Sequence, residues 1–227
     1  MRPLARSFYA RSAEVVARAL IGRLLVREGP RGNAGARRIG RIVEVEAYGG
    51  PHDPASHAFR GPTRRNRTMF GPPGRAYIYV SYGVHHCLNV VTGRRGRPSA
   101  VLIRALEPLS GLDLMARGSG RLRSRRGRTA GRDPLRLARG PGLVARSLGL
   151  TLAHDGVDLT DGPLWLAAGP PRLEARIARS PRIGISRAVS RRWRFYLAGH
   201  PSVSGPRGRF RPPRPVGTRA GRPRAGG

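Results

Sequence analysis

Apolar and polar positions alternate along the chain in short segments of helical or strand-like spacing. Residues 12–22 carry apolar side chains at helical spacing behind Ser12, a good N-cap residue, and Gly22 is suited to end this helix. A second helix is predicted at residues 142–150. Strands are predicted at residues 23–28, 41–48, 76–80, 85–91 and 100–105, and around Ile183 and Phe195. The first half is therefore predicted to be a meander of strands around one helix.

Two of these strands predict a hairpin. Residues 76–80 and 85–91 are joined by a short connection in which Gly83 permits the turn. Tyr82 stands at the tip, and an aromatic side chain in that position could enter between stacked bases. The alternative is a tyrosine folded back onto its own hairpin.

Composition points to a polyanionic partner. The formal charge is +32, and all 44 basic residues are Arg. Such an excess favours DNA or RNA, with an anionic membrane as a weaker alternative. Without Lys, chemistry through a lysine Schiff base is excluded. One cysteine, Cys87, excludes a disulfide framework, and the absence of an 18-residue apolar run or a signal-peptide pattern predicts a soluble cytoplasmic protein.

The charge is concentrated in two segments outside the predicted strands. Residues 117–140 form an Arg- and Gly-rich stretch that predicts a mobile loop, and residues 205–227 contain seven Arg and six Gly, as in a disordered basic tail. Residues 1–204 are predicted to form one domain. These arginines either contact nucleic acid or reflect codon bias and solubility.

Two glutamates lie within one apolar strand. Strict alternation over residues 41–48 puts Ile42, Glu44 and Glu46 on one face, and Val43, Val45 and Ala47 on the other. A buried carboxylate has a raised pKa and can serve as a general base, which makes Glu46 the first catalytic candidate. The alternative is that each glutamate pairs with an arginine.

Aromatic and histidine side chains are concentrated around the same strands, although aromatic residues make up only 6% of the chain. They are Tyr48, His57, Tyr77, Tyr79, His85 and His86. Such a group suits the stacking of a base turned out of its helix, and the alternative is an ordinary aromatic core. Adjacent histidines in a strand point to opposite faces, so no metal site is predicted. Arg64, Arg65 and Arg67 precede the hairpin and suit phosphate groups.

Several strings in the right order resemble a known family. They are RIVEVEAYGGPHDPASHAFRGPTRRNRTMFGPPGRAYIYVSYGVHHCLNVV, VLIRALEPLSG, LARGPGLVARSLGL and PRIGISRAVSRRWRFYLAGHPSVS. Together they resemble the 3-methyladenine (alkyladenine) DNA glycosylases of the monomeric animal-and-bacterial type. The resemblance spans about residues 4–204, apart from a stretch near 117–136.

The resemblance implies an α+β domain with a curved, mostly antiparallel, open-barrel-like sheet, surrounding helices and a protruding hairpin. It implies a monomer that needs no metal or organic cofactor. Its substrate is double-stranded DNA with alkylated or deaminated purines, from which the damaged base is removed by hydrolysis of the N-glycosidic bond. Glu46 would deprotonate the attacking water, and Arg104 would help to position that water.

The remaining site residues follow from the same resemblance. Tyr48 and His57 would enclose the base, and Tyr79 would close the edge of the pocket. Asn89 would crowd the 2-amino group of normal guanine, and Tyr82 would be the wedge in the duplex. The DNA backbone contacts are expected from Arg64, Arg65, Arg67 and Gly83.

One departure and two alternatives accompany this resemblance. Val84, His85 and His86 follow the wedge, where many members of the family have a bulky aromatic residue, which affects the expected wedge shape and lesion range. A non-catalytic nucleic-acid-binding protein on the same scaffold is the first alternative. The second is an RNA-binding basic protein.

Overall fold

One antiparallel sheet, formed by eight strands of the described chain, organises the fold. The computed structural model describes residues 1–29, 36–118, 133–169 and 177–205. The strands are β1 (Leu24–Arg27), β2 (Arg38–Tyr48), β3 (Ala76–Ser81), β4 (His85–Thr92), β5 (Ser99–Ser110), β6 (Leu164–Ala167), β7 (Ile177–Ser180) and β8 (Arg194–Leu197).

The long strand β2 is the centre of this sheet. One of its edges pairs with β5, which continues to β4 and β3. Its other edge pairs first with β1, which continues to β6, and then with β8, which continues to β7. Because β2 has two successive neighbours on this edge, the sheet curls into an open half-barrel.

Four helices cover the sheet within the described ranges: α1 (Arg6–Tyr9), α2 (Ala13–Leu20), α3 (Leu112–Gly118) and α4 (Pro141–Leu148). The Ser12 hydroxyl caps α2 by accepting from the Val15 amide at 3.5 Å. Helix α2 buries Val16 and Leu20, while Val15 is exposed on its outer face. The main core lies between these helices and the sheet and holds the apolar side chains of β2, including Val43 and Val45.

The register between β2 and β5 slips at three points, once between Ile39 and Gly40 and once on either side of Glu44. The pairing passes over Val43 in β2 and over Arg104 in β5, which identifies both as bulge residues. A bulge changes the direction in which a side chain projects, and here it affects Arg104 next to Glu44 and Glu46. Ile42, which strict alternation groups with the glutamates, belongs instead to the main core.

The predicted fold class is confirmed: a single α+β domain on a curled antiparallel sheet. The hairpin, the helix after Ser12 and the helix near residues 142–150 are also confirmed. Strand β2 begins at Arg38 and β5 extends to Ser110, so both are longer than predicted. The short elements α1, α3 and β6 were not predicted, since none carries enough residues for a clear period.

The predicted strand around Ile183 is wrong. Ile183 lies in a loop between β7 and β8, immediately before Gly184, which has φ +74°. Its amide donates to the Glu46 side chain at 2.7 Å instead of to a neighbouring strand. The apolar residues of this segment therefore reach the site, not the sheet.

Some predictions concern residues outside the described ranges. Residues 119–132 of the predicted mobile loop and residues 206–227 of the predicted tail are among them. Residues 133–140, counted with that loop, bury Leu137 and Ala138 in the core. In the described ranges, no helix has the length and apolar character needed to cross a membrane.

Gly50 fixes the backbone directly after β2. It has φ +71°, and a Cβ atom there would lie 1.7 Å from the Pro98 carbonyl oxygen. We expect Gly50→Ala to lower thermal stability severely because the Pro98 backbone would have to move. Gly61→Ala is the matched control: it has φ +89° but open space around the position, so only the left-handed backbone cost of about 1–2 kcal/mol applies. Equal losses in thermal unfolding would contradict the close approach at Gly50.

Candidate active site

A cavity of about 610 Å³ opens beside the β3–β4 hairpin. Its walls come from the end of β2, the loop at 54–57, the hairpin, β5 and the loop at 183–187. Of the residues predicted for the site, the cavity is lined by Tyr48, His57, Arg65, Tyr79, Tyr82, Asn89 and Arg104. The structure thus brings together side chains that are far apart in the sequence.

Glu46 lies directly behind the wall of this cavity and is fully buried. Its Oε1 accepts the Ile183 amide at 2.7 Å, and its Oε2 accepts Tyr48 Oη at 3.0 Å and Arg104 Nη1 at 3.2 Å. All three donors belong to residues that line the cavity. Burial raises the pKa of Glu46, and the contacts with Arg104, Ile183 and Tyr48 oppose this rise in part.

The predicted alternative, that each glutamate pairs with an arginine, is also realised. Arg104 Nε donates to Glu44 Oε1 at 2.9 Å, while its Nη1 donates to Glu46. Arg194 Nε donates to the same Glu44 oxygen at 2.7 Å. Both carboxylates are fully buried and both arginines almost so. The arginine pairs and the candidate base therefore form one network.

Three aromatic rings form one side of the cavity. The His57 and Tyr79 ring centroids lie 4.5 Å apart at an interplanar angle of 78°, and Tyr77 and Tyr79 lie 5.7 Å apart at 30°. His57 Nδ1 is 3.0 Å from the Tyr77 hydroxyl. Burial and the nearby Arg65 lower the pKa of His57, so its ring is neutral at pH 7. Burial raises the pKa of Tyr77 to about 12, which keeps its hydroxyl protonated.

Asn89 is held rigidly on β4. It pairs with Tyr77 in the register of the hairpin, and its Nδ2 donates to the Tyr77 carbonyl at 3.2 Å. Only 4% of the residue is exposed. An amide fixed in this way presents a constant shape to whatever enters the cavity.

Tyr82 projects from the tip of the hairpin with 88% of its surface exposed. The alternative of a tyrosine folded back onto its hairpin is therefore wrong. Its φ of +49° is unusual for a residue with a side chain, and Ala188 alone shares this property among the non-glycine residues described. Gly83 follows with φ +73° and open space around it. Such backbone strain is typical of functional positions.

The three arginines before the hairpin differ in their surroundings. Arg64 and Arg67 are exposed. Arg65 is also exposed but reaches the cavity wall, where its Nη2 donates to the Val80 carbonyl at 2.6 Å and its guanidinium lies 5.4 Å from the Tyr79 ring centroid. On the other side of the hairpin, the exposed His85 packs against Gly142 at the start of α4.

A buried ion pair that the sequence analysis missed joins two walls of the cavity. Arg182 Nη2 donates to Asp53 Oδ1 at 2.8 Å, and both side chains are fully buried. The Arg182 guanidinium also lies 4.7 Å from the ring centroid of Tyr48. Burial would raise the pKa of Asp53, but hydrogen bonds from Arg182 and the Gly49 amide bring it below its usual value. These partners are 129 residues apart, and no local pattern indicates them.

Comparisons with known proteins identify the family of this chain. The profile of the family described as methylpurine-DNA glycosylase matches residues 7–201. A protein of Anaeromyxobacter dehalogenans strain 2CP-1, assigned as a 3-methyladenine DNA glycosylase, is 44% identical over 210 residues, which cover 89% of this chain and 86% of that protein. Proteins with the same assignment from Frankia casuarinae and Methanoculleus marisnigri are each 48% identical to this chain. The Frankia match covers 90% of this chain and 93% of that protein. The Methanoculleus match covers 88% of this chain and 98% of that protein. The chain belongs to the methylpurine-DNA glycosylase family.

Proposed function

We propose that this enzyme turns a damaged purine nucleotide out of duplex DNA into the cavity, and that Glu46 activates the water that hydrolyses the N-glycosidic bond. The observation that carries the proposal is a fully buried carboxylate directly behind the wall of an aromatic cavity. In this reaction the water oxygen bonds to the sugar C1′ while the bond from C1′ to the base breaks. The base leaves with the electron pair of that bond, and Glu46 takes the proton of the water.

The hydrogen bonds of Glu46 leave one acceptor position for this water. A carboxylate offers about four acceptor positions, and three protein donors occupy three of them at Glu46. Among the described residues, Oε1 accepts only the Ile183 amide, so the remaining position is on this oxygen. Arg104, on the other oxygen, helps to orient the carboxylate. A water bound at Oε1 would be oriented before a base arrives, which is the main requirement of a hydrolytic step.

The cavity suits a flat purine. Tyr48 and His57 would face the base, Tyr79 would close its edge, and Asn89 would crowd the 2-amino group of normal guanine. A purine alkylated at N3 or N7 carries positive charge, so it is already a good leaving group and is attracted to electron-rich rings. The enzyme then needs to supply little acid catalysis. As the family resemblance implies, we expect the enzyme to act as a monomer.

The rim suits contact with duplex DNA. Tyr82 would fill the space that the flipped nucleotide leaves, and its exposure and strained backbone support this role. Arg64, Arg67 and the backbone at Gly83 are exposed nearby and would contact phosphates, with Arg65 at the cavity mouth. The charge of +32 implies binding that weakens steeply with salt.

The absence of lysine from the sequence favours a monofunctional enzyme. A strand-cleaving lyase step through a lysine Schiff base cannot occur. The expected product is an intact strand with an abasic site.

Substitution of Glu46 tests its role as the general base. We expect Glu46→Gln to lower single-turnover base release by about 100-fold or more, because general-base catalysis contributes at least that much. The assay uses a duplex with one hypoxanthine or ethenoadenine, and methylated DNA, with the wild type beside the variant. Strands should break only after hot alkali. Duplex binding without release by the wild type would instead support the non-catalytic binder.

The protonation state of Glu46 makes the rate of base release depend on pH. Glu46 must be ionised to accept a proton, and its pKa lies above the usual 4.5 because of burial. The single-turnover rate should therefore fall as pH drops, with a midpoint clearly above 4.5, and the high-pH side should show no loss from this group. A rate that stays constant down to pH 4.5 would count against Glu46 as the base.

Substitution of Tyr82 tests its role as the wedge in the duplex. Tyr82→Ala should weaken discrimination between lesion-bearing and normal duplex by about 10-fold, since stacking of one ring on a base is worth 1–3 kcal/mol. Tyr82→Phe is the matched control and should retain most of the discrimination because the ring remains. Binding titrations with both duplexes measure this. Unchanged lesion affinity and rate in Tyr82→Ala would rule out the wedge role.

A further inference from the structure

Glu44 is the second carboxylate of the active-site strand, and the proposed reaction gives it no task. It precedes Glu46 by two residues on β2 and is fully buried. Its Oε1 accepts from both Arg104 Nε at 2.9 Å and Arg194 Nε at 2.7 Å. Its Oε2 accepts the Ser204 amide at 2.6 Å. Glu44 thus accepts three hydrogen bonds, as many as Glu46, and two of them come from arginines.

Arg104 is divided between the two glutamates. Its Nε is held by Glu44, its Nη2 is 3.4 Å from the Ser204 hydroxyl, and only Nη1 reaches Glu46, at 3.2 Å. The bulge at Arg104 brings its side chain to this point between the carboxylates. An arginine without the Glu44 contact would instead favour a two-pronged pair with Glu46, which is the stronger arrangement.

This division matters because Glu46 must accept a proton. A carboxylate held by two parallel N–H bonds from a guanidinium is stabilised in its ionised form and is a weaker base. In addition, the two N–H bonds would occupy lone pairs on both oxygens of Glu46. The position left open on Oε1 would then be lost to water.

We propose that Glu44, balanced by Arg194, is a positioning residue of this active site that holds Arg104 by its Nε, so that Glu46 receives a single N–H from Arg104 and keeps an acceptor position for water. The proposal rests on the proposed role of Glu46 as the base. It concerns the orientation of Arg104 and assigns Glu44 no contact with DNA.

The charges around Glu46 also affect its pKa, and they act in opposite directions. Charged or titratable groups face it from the elements packed against it: Tyr48 and Glu44 on β2, Arg104 on β5, Tyr79 on β3 and Arg194 on β8. Burial has the largest effect and raises the pKa of Glu46, the negative charge of Glu44 also raises it, and Arg104 lowers it. The loop between β7 and β8 contributes the Ile183 amide, while the Arg182 guanidinium pairs with Asp53.

The test is the pH dependence of single-turnover release of 3-methyladenine from methylated duplex DNA. That base stays cationic throughout the acid range, so the acid limb of the profile reports the enzyme. We expect Glu44→Gln to move the midpoint to lower pH by about one unit, because Arg104 then closes on Glu46. Arg194→Gln should move it to higher pH, because a positive charge is lost and Glu44 then binds Arg104 alone.

The opposite shifts of the pH midpoint separate a positioning role from damage to the fold. General destabilisation would lower the rate in both variants without moving the two midpoints in opposite directions. Either variant alone tests the proposal if the other fails to fold, and thermal unfolding reports folding. Glu107→Gln is the matched control: Glu107 lies on the same strand as Arg104 and pairs with Arg41 at 2.9 Å, so the same change in net charge should leave the midpoint unchanged.

Two outcomes overturn different statements. Midpoints that stay constant, or that move together in both variants, would reduce Glu44 to a structural residue and leave the reaction itself intact. If Glu46→Gln released the base at the normal rate, the acid limb would not depend on Glu46. That result would overturn the proposed function instead.

Discussion

The structure depends on the neutralisation of two carboxylates buried side by side on one strand. Ionised groups placed in the interior lose their hydration, and leaving one of them unpaired costs about 3–5 kcal/mol. Glu44 and Glu46 are neutralised by Arg104 from β5 and Arg194 from β8. The backbone amides of Ser204 and Ile183 complete the coordination. The two strands that flank this part of β2 therefore supply the charge that β2 requires.

The use of arginine alone as the basic residue suits this arrangement. A guanidinium has five N–H donors in a fixed plane, so one Arg104 can bond two carboxylates and a hydroxyl, which a lysine cannot do with the same geometry. Arg182 uses the same plane to pair with Asp53 and to stack on Tyr48. In the proposed function, the exposed arginines around the cavity attract phosphate groups. One residue type would then serve both the interior and the rim.

The cavity combines rigid walls with one strained tip. Asn66 fixes the loop that carries His57 by donating to the His57 carbonyl at 2.9 Å, and the Arg182–Asp53 pair fixes the loop that carries Ile183. The hairpin tip at Tyr82 has no such support and is exposed. Rigid walls suit the selection of a flat base, whereas an unsupported tip suits entry into a duplex.

Local sequence signals predict three elements: the hairpin around Gly83, the capped helix after Ser12, and the apolar strand that carries Glu44 and Glu46. The sequence motifs also indicated the family and seven of the residues that line the cavity. Tertiary structure alone decided the contacts that orient them. The partners of Glu46–Ile183, Arg182–Asp53 and Arg194–Glu44 are separated by 137, 129 and 150 residues. Neither periodicity nor turn chemistry encodes such pairs, because they form only when the curled sheet brings its strands and the loop at 181–193 together around β2.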